Sequence, residues 1–187
     1  KLSGKGDTSQ KLTLMKTSAD SLKKSADALN DSSLWEKKKI KKKDEKTGEE
    51  IEVEDYDWDK ITKAVKSFVE DYNDVVKEAG ESNTKDVLRN ASWMTGMTDK
   101  NSNMLAKIGI TIGKGNKLEL DEDALRQADI SSLKTIFTGY NSFVSKISQK
   151  ATGISNAANR ASATYTNNGT YSKTDSLLTS SKIDEEV

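Results

Sequence analysis

Ala106–Gly139, AKIGITIGKGNKLELDEDALRQADISSLKTIFTG, is the stretch on which the fold turns. Ile108, Ile110 and Ile112 alternate with Gly109 and Thr111, and Leu118 and Leu120 alternate with Lys117 and Glu119. Period-two alternation on both sides of Gly113-Lys114-Gly115-Asn116 predicts a small β-hairpin over 108–120 with one apolar face. Gly113 and Gly115 can adopt the positive φ that a tight turn demands, and Asn116 tolerates it better than most residues. After the hairpin, Asp121 or Asp123 is placed to cap a short helix through Leu125. Ser131 or Ser132 is placed to cap a second one carrying Leu133, Ile136 and Phe137. These glycines do not spell a phosphate-binding loop, because neither G-x-G-x-x-G nor G-x-x-x-x-G-K-[ST] can be written across them.

Long helical patterns flank this junction. Leu12, Met15, Ala19, Leu22, Ala26 and Leu29 recur at alternating three- and four-residue steps, a heptad seam. A second seam runs Trp58, Ile61, Val65, Phe68, Tyr72, Val75 and Ala79, entered by Asp57 as N-cap and stopped by Gly80. A third carries Tyr140, Phe143, Ile147, Ala151, Ile154, Ala158, Ala161 and Tyr165 and ends before Asn167-Asn168-Gly169. Val87, Leu88, Ala91, Met94 and Met97 mark a shorter amphipathic helix, with Trp93 packing under it. The fold class expected is mainly α: an elongated helical bundle or coiled coil with one or two small β-hairpins. Residues 1–165 form one elongated helical domain, and 166–187 a flexible polar tail with Leu177 and Leu178 as its apolar anchors.

Between the first two seams lies an intense charge run. Lys37, Lys38, Lys39, Lys41, Lys42, Lys43 and Lys46 are followed by Glu49, Glu50, Glu52, Glu54, Asp55, Asp57 and Asp59. With Asp44–Gly48 as a turn, 34–56 reads as a self-neutralising hairpin that sets lysines across from acids. A nucleic-acid site is the weaker reading, since no aromatics interleave with the lysines. The totals agree: Lys plus Arg and Asp plus Glu are each 30 in 187 residues, so no global field draws nucleic acid or an anionic membrane.

Hydrophobic residues make up 33% of the chain and mean hydropathy is −0.76, which fits narrow apolar seams better than a thick round core. Cysteine, histidine and proline are absent, so disulfides, thiol nucleophiles, imidazole bases and the usual zinc or haem ligands are excluded. No apolar run is long enough for a membrane-spanning helix, and no signal peptide is visible after Lys1, with an upstream segment left open. Asp55, Asp57 and Asp59 open like a calcium loop. Lys60 then stands where the loop needs Gly, and Lys66 where it needs Glu. Asp121, Glu122 and Asp123 read as helix-capping charges before they read as an acid–base pair. Asn90-Ala91-Ser92 and Asn168-Gly169-Thr170 match a glycosylation pattern short enough to arise by chance. No catalytic, cofactor-binding or metal-binding residue is expected.

Ala64–Val76, AVKSFVEDYNDVV, is followed by Leu105–Ile112, LAKIGITI, then Lys117–Glu122, KLELDE, then Leu133–Phe137. This order resembles the C-terminal region of the bacterial flagellar filament cap family of hook-associated proteins. There a helix with a Phe-Val-x-x-Tyr-Asn core precedes a short helix, a Gly-Ile hairpin closing on Leu-x-Leu-Asp, and a long terminal helix. The likeness covers roughly Ile61 to Ala161, in a reduced form lacking the large β domains that the family inserts ahead of that helix. It implies a bacterial, exported, non-enzymatic protein at the flagellum or cell surface. Such a protein packs through helical coiled coils against itself or flagellin-like subunits. The candidate partner surface is then the set of seams, at Leu12, Met15, Leu22, Leu29, Phe68, Tyr72, Phe143, Ile147 and Ile154. The other reading is a secreted or surface helical binding module, adhesin-like, that recognises another helix through the first or third seam.

Overall fold

The computed structural model describes residues 6–185, with helical side chains described as far as Thr164. It is mainly helical with two small antiparallel two-stranded sheets. In chain order the elements are α1 (Ser9–Leu29), β1 (Lys38–Lys43), β2 (Glu50–Asp55), α2 (Trp58–Ala79), α3 (Lys85–Lys100) and α4 (Ser102–Lys107). They continue with β3 (Ile110–Ile112), β4 (Leu118–Leu120), α5 (Glu122–Gln127), α6 (Ile130–Phe137) and α7 (Phe143–Glu185).

The α1 seam is wholly buried, from Leu12 and Met15 through Ala19, Leu22 and Ala26 to Leu29. It faces α2 on one side and α7 on the other, while α3 packs along α7. The direction of packing is read from polar contacts at the seam margins. Ser148 Oγ donates to Asp27 (2.6 Å) and Ser155 Oγ to Asp20 (2.5 Å), so α7 ascends where α1 descends. Lys23 and Lys16 hold the other oxygen of each carboxylate from one turn earlier. Burial pushes the Asp20 and Asp27 carboxyls up, but the lysine and serine hydrogen bonds outweigh it and leave both below the usual range. Each such hydrogen bond is worth about 1 kcal/mol, against about 1.5–3 kcal/mol for each large apolar side chain buried beside it. Apolar burial therefore supplies the stability, and the Ser–Asp pairs, repeated at heptad spacing on both helices, set the register.

An aromatic cluster closes the end of the core where α1 stops. Trp35, in a 3-10 turn after α1, stacks on Phe137 with centroids 5.6 Å apart and donates its indole N–H to the Leu29 carbonyl (2.7 Å). Phe68 meets Phe137 and Phe143 edge-on at 6.3 and 6.4 Å. Leu34 and Trp35 thus belong to the core, and the charged hairpin begins at Lys38. Its register is as the charges require: Lys39 faces Glu54, Lys41 faces Glu52 and Lys43 faces Glu50.

Asp57 caps α2 through Lys60 N–H and Gly80 ends it, as the spacing predicts, at φ −65° in the right-handed region. Several local expectations are corrected. In the small hairpin the positive φ values fall on Gly115 (70°) and Asn116 (62°), and Gly113 is extended. The strand begins at Ile110, because Ile108 terminates α4. Asp121 caps α5 through Ala124 N–H, whereas α6 starts at Ile130 behind Asp129, and Ser131 and Ser132 donate to the Asp129 carboxylate instead of capping. Tyr140 lies outside the third seam and is 85% exposed. On α3, Leu88 and Trp93 face outward, and Thr98 takes an inward position. The α7 backbone continues through Asn167–Gly169, where a stop was expected.

Asp7 locks the start of α1 to the end of α2. Its carboxylate is 5% exposed and accepts from Asn83 N–H (3.0 Å), Thr84 N–H (3.0 Å), the Thr84 hydroxyl (2.6 Å) and the Ser82 hydroxyl (2.7 Å). Thr84 gives α3 no side-chain cap, and Asp7 instead fixes the turn that leads into that helix through the N–H groups of Asn83 and Thr84. Burial raises the Asp7 carboxyl, and the Asn83, Thr84 and Ser82 bonds together hold it below 3.8. A carboxyl lowered in the folded state adds stability above its unfolded value, and that stability is lost as pH falls through the folded value. Asp7→Asn is therefore expected to cost about 1–3 kcal/mol in urea unfolding near neutral pH. The difference from the parent should shrink as pH drops below about 4.

Candidate partner surface

The Phe-Val-x-x-Tyr-Asn segment of α2 is a hub. Phe68 enters the aromatic cluster, while the Tyr72 hydroxyl donates to Thr98 on α3 (2.8 Å), which in turn donates to the Met94 carbonyl (2.9 Å). Burial pushes the Tyr72 phenol up to about 12. Asn73 acts as a one-residue strand: its Nδ2 donates to the Leu118 carbonyl (2.9 Å) and its Oδ1 accepts from Leu118 N–H (2.7 Å). This pairs α2 with the outer edge of β4. Gly109 brings the hairpin against α5 at φ 91°, where a Cβ would stand 2.7 Å from the Asp121 carbonyl and 3.0 Å from Leu125 N. No residue with a side chain fits there without moving backbone.

All nine seam residues, Leu12, Met15, Leu22, Leu29, Phe68, Tyr72, Phe143, Ile147 and Ile154, are buried within the chain. They face one another across the helices, and in this fold none presents its apolar surface to the outside. What is exposed lies elsewhere. Leu88 and Trp93 stand out from α3 at 40% and 45% exposure, and Lys150 of α7 places its ammonium 4.2 Å from the Trp93 ring centre. Leu88 borders a shallow groove of ≈ 540 Å³ between α3, the end of α2 and the small hairpin, lined also by Val76, Lys77, Ser92 and Asn116. Trp93 borders a second of ≈ 490 Å³ with Met97, Lys100 and Lys146.

Of the carboxylates singled out in the sequence, Asp55, Asp57, Asp59, Asp121 and Glu122 have structural partners. Asp55 takes Lys42 and Tyr56 N–H, Asp57 caps α2, and Asp59 pairs with Arg126 at 2.7 Å. They diverge to different elements, and among the described residues no cluster of acids is grouped as a metal site. Asp121 caps α5, and Glu122 lies 3.9 Å from Lys66. No described helix is long and apolar enough to cross a membrane.

Residues 82–185 match the family described as flagellar hook-associated protein 2 C-terminus. The chain belongs to that family. The matched span starts after α2, so the Phe68–Asn73 hub lies outside it, and it extends to the end of α7. No curated protein and no solved structure gives a significant match.

Sequence reasoning missed Asp7, the Ser–Asp register pairs and the strand-like role of Asn73. Only the pairs left a trace, as Asp20/Asp27 and Ser148/Ser155 at heptad spacing beside a seam. Asn73→Ala leaves the Leu118 N–H and C=O without their partner and is expected to cost about 1–3 kcal/mol in denaturant unfolding. Loss of amide-exchange protection should be greatest over β3 and β4.

Proposed function

We propose that the chain is a non-enzymatic structural subunit of the bacterial flagellum: the helical C-terminal region of a filament-cap or hook-associated protein. It is exported and works outside the cell at the filament. There its helices pack, coiled-coil fashion, against flagellin-like subunits or other copies of itself. The single observation that carries this reading is the family match over α3 to α7.

The register of α1 on α7 suggests which part meets the partner. Asp27 lies beside Ser148 and Asp20 beside Ser155, so Ser9, where α1 begins, falls near position 166 of α7. The α7 backbone continues to Glu185. We place the division accordingly: a helical body to about residue 165, whose seams are used internally, and a segment from 166 onward that engages neighbouring subunits.

Immunogold electron microscopy of flagellated cells tests this. Label is expected at the distal ends of filaments. A chain truncated after Tyr165 is expected to fold with an unchanged melting transition but leave the filament ends unlabelled. Label confined to the cell body, with filaments and motility intact in a deletion strain, would contradict the proposal.

A further inference from the structure

The β1–β2 hairpin stands as a two-stranded sheet of its own, with a lysine-rich strand paired to an acidic one. Its strands make their main contacts with each other, leaving an outer edge on each. In an antiparallel pair, residues alternate between those that bond across the pair and those whose N–H and C=O point away from it. The bond from Asp44 N–H to the Glu49 carbonyl (2.8 Å) fixes that alternation. Lys42–Ile51, Ile40–Val53 and Lys38–Asp55 then bond inward, while Lys39, Lys41 and Lys43 on β1 and Glu50, Glu52 and Glu54 on β2 direct their backbone groups outward. Every outward-directed strand residue on β1 is thus basic, and every one on β2 is acidic.

Unpaired strand edges are templates for association, and charge normally blunts them. Here the charges block two of the three possible pairings. A two-fold joining of β1 to β1 sets lysine against lysine, and β2 to β2 sets glutamate against glutamate; both are repulsive. Joining β1 of one copy to β2 of the next repeats the pairing already inside the hairpin, Lys41 opposite Glu52 with Lys39 opposite Glu54 and Lys43 opposite Glu50. It also extends the antiparallel sheet and brings Ile40 between two copies of Val53. The chain's net charge of zero leaves no global repulsion against it.

We propose that copies of this chain associate head to tail through these complementary edges. A head-to-tail contact of this kind leaves a free edge at each end, so it closes into a ring or continues as a filament. The hairpin lies outside residues 82–185, so this interface stands or falls separately from the flagellar reading.

Sedimentation velocity of the full chain over a concentration series is the test. At ~0.02 M salt the weight-average mass should rise to roughly twice the monomer or more, and it should return to monomer at ~0.5 M, where screening is short-ranged. Lys41→Pro and Glu52→Pro each remove one outward N–H from an edge position that tolerates proline. Each alone should be monomeric, because one edge is blocked. Mixed, they should form a one-to-one dimer and nothing larger, because Lys41→Pro keeps the acidic edge and Glu52→Pro the basic one. The chain has no cysteine, so Lys41→Cys and Glu52→Cys supply a second readout that does not depend on the proline variants folding. Under mild oxidation a disulfide should join one variant to the other in a mixture, and neither to itself, because two copies of residue 41 stand two strand spacings, about 9.6 Å, apart, beyond disulfide reach. A parent that stays monomeric throughout, a proline variant that associates as the parent does, or a Lys41→Cys variant that forms a disulfide with itself would each overturn the proposal.

Discussion

The burial of one helix between two others, running against both, is the constraint on which the rest of the structure depends. α1 carries a single apolar stripe, and that stripe is covered by α2 and α7 together. Its small residues, Ala19 and Ala26, alternate with Leu22 and Leu29, so neighbouring helices approach closely at some levels and interlock at others. The Ser–Asp pairs fix the register on α7, and Asp7 fixes the other end on the α2–α3 connection. With α1 in place, α2 and α7 run parallel to each other. The aromatic cluster of Trp35, Phe68, Phe137 and Phe143 then seals one end of the core.

The small hairpin depends on that frame. A three-residue pair of strands is too short to hold itself. It is held by Asn73 reaching from α2 to Leu118, and by Gly109 letting the chain press against α5. The junction that looks like an independent motif in the sequence is therefore an attachment to α2. Family membership is written over residues 82–185, yet α7 within that span needs α1, from outside it, to cover its apolar face.

How much was legible in the sequence follows from the range of the interactions. Heptad stripes, the Asp57 and Asp121 caps and the opposing charges of Lys38–Asp55 are local patterns, and each is found where its spacing predicts. Tyr140 continues the spacing of the third seam but lies outside the helix, and periodicity alone does not say where a helix begins. Gly113 can take the positive φ of the turn, but glycine permits that conformation without requiring it, and Gly115 and Asn116 take it instead. The deeper difference concerns the seams as a partner surface. An apolar stripe signals that it will be covered and is silent on whether the cover comes from the same chain or another. Here Leu12, Leu22, Phe68 and Ile154 are covered by their own chain.

Native-state hydrogen exchange of the full chain tests most directly whether α1 is integral to the core. If it is, amides in the middle of α1, around Leu22, open only with global unfolding and share one exchange free energy with those around Phe68 of α2 and Ile147 of α7. Exchange of the α1 amides through a separate, lower-energy opening, with α2 and α7 still protected, would contradict it.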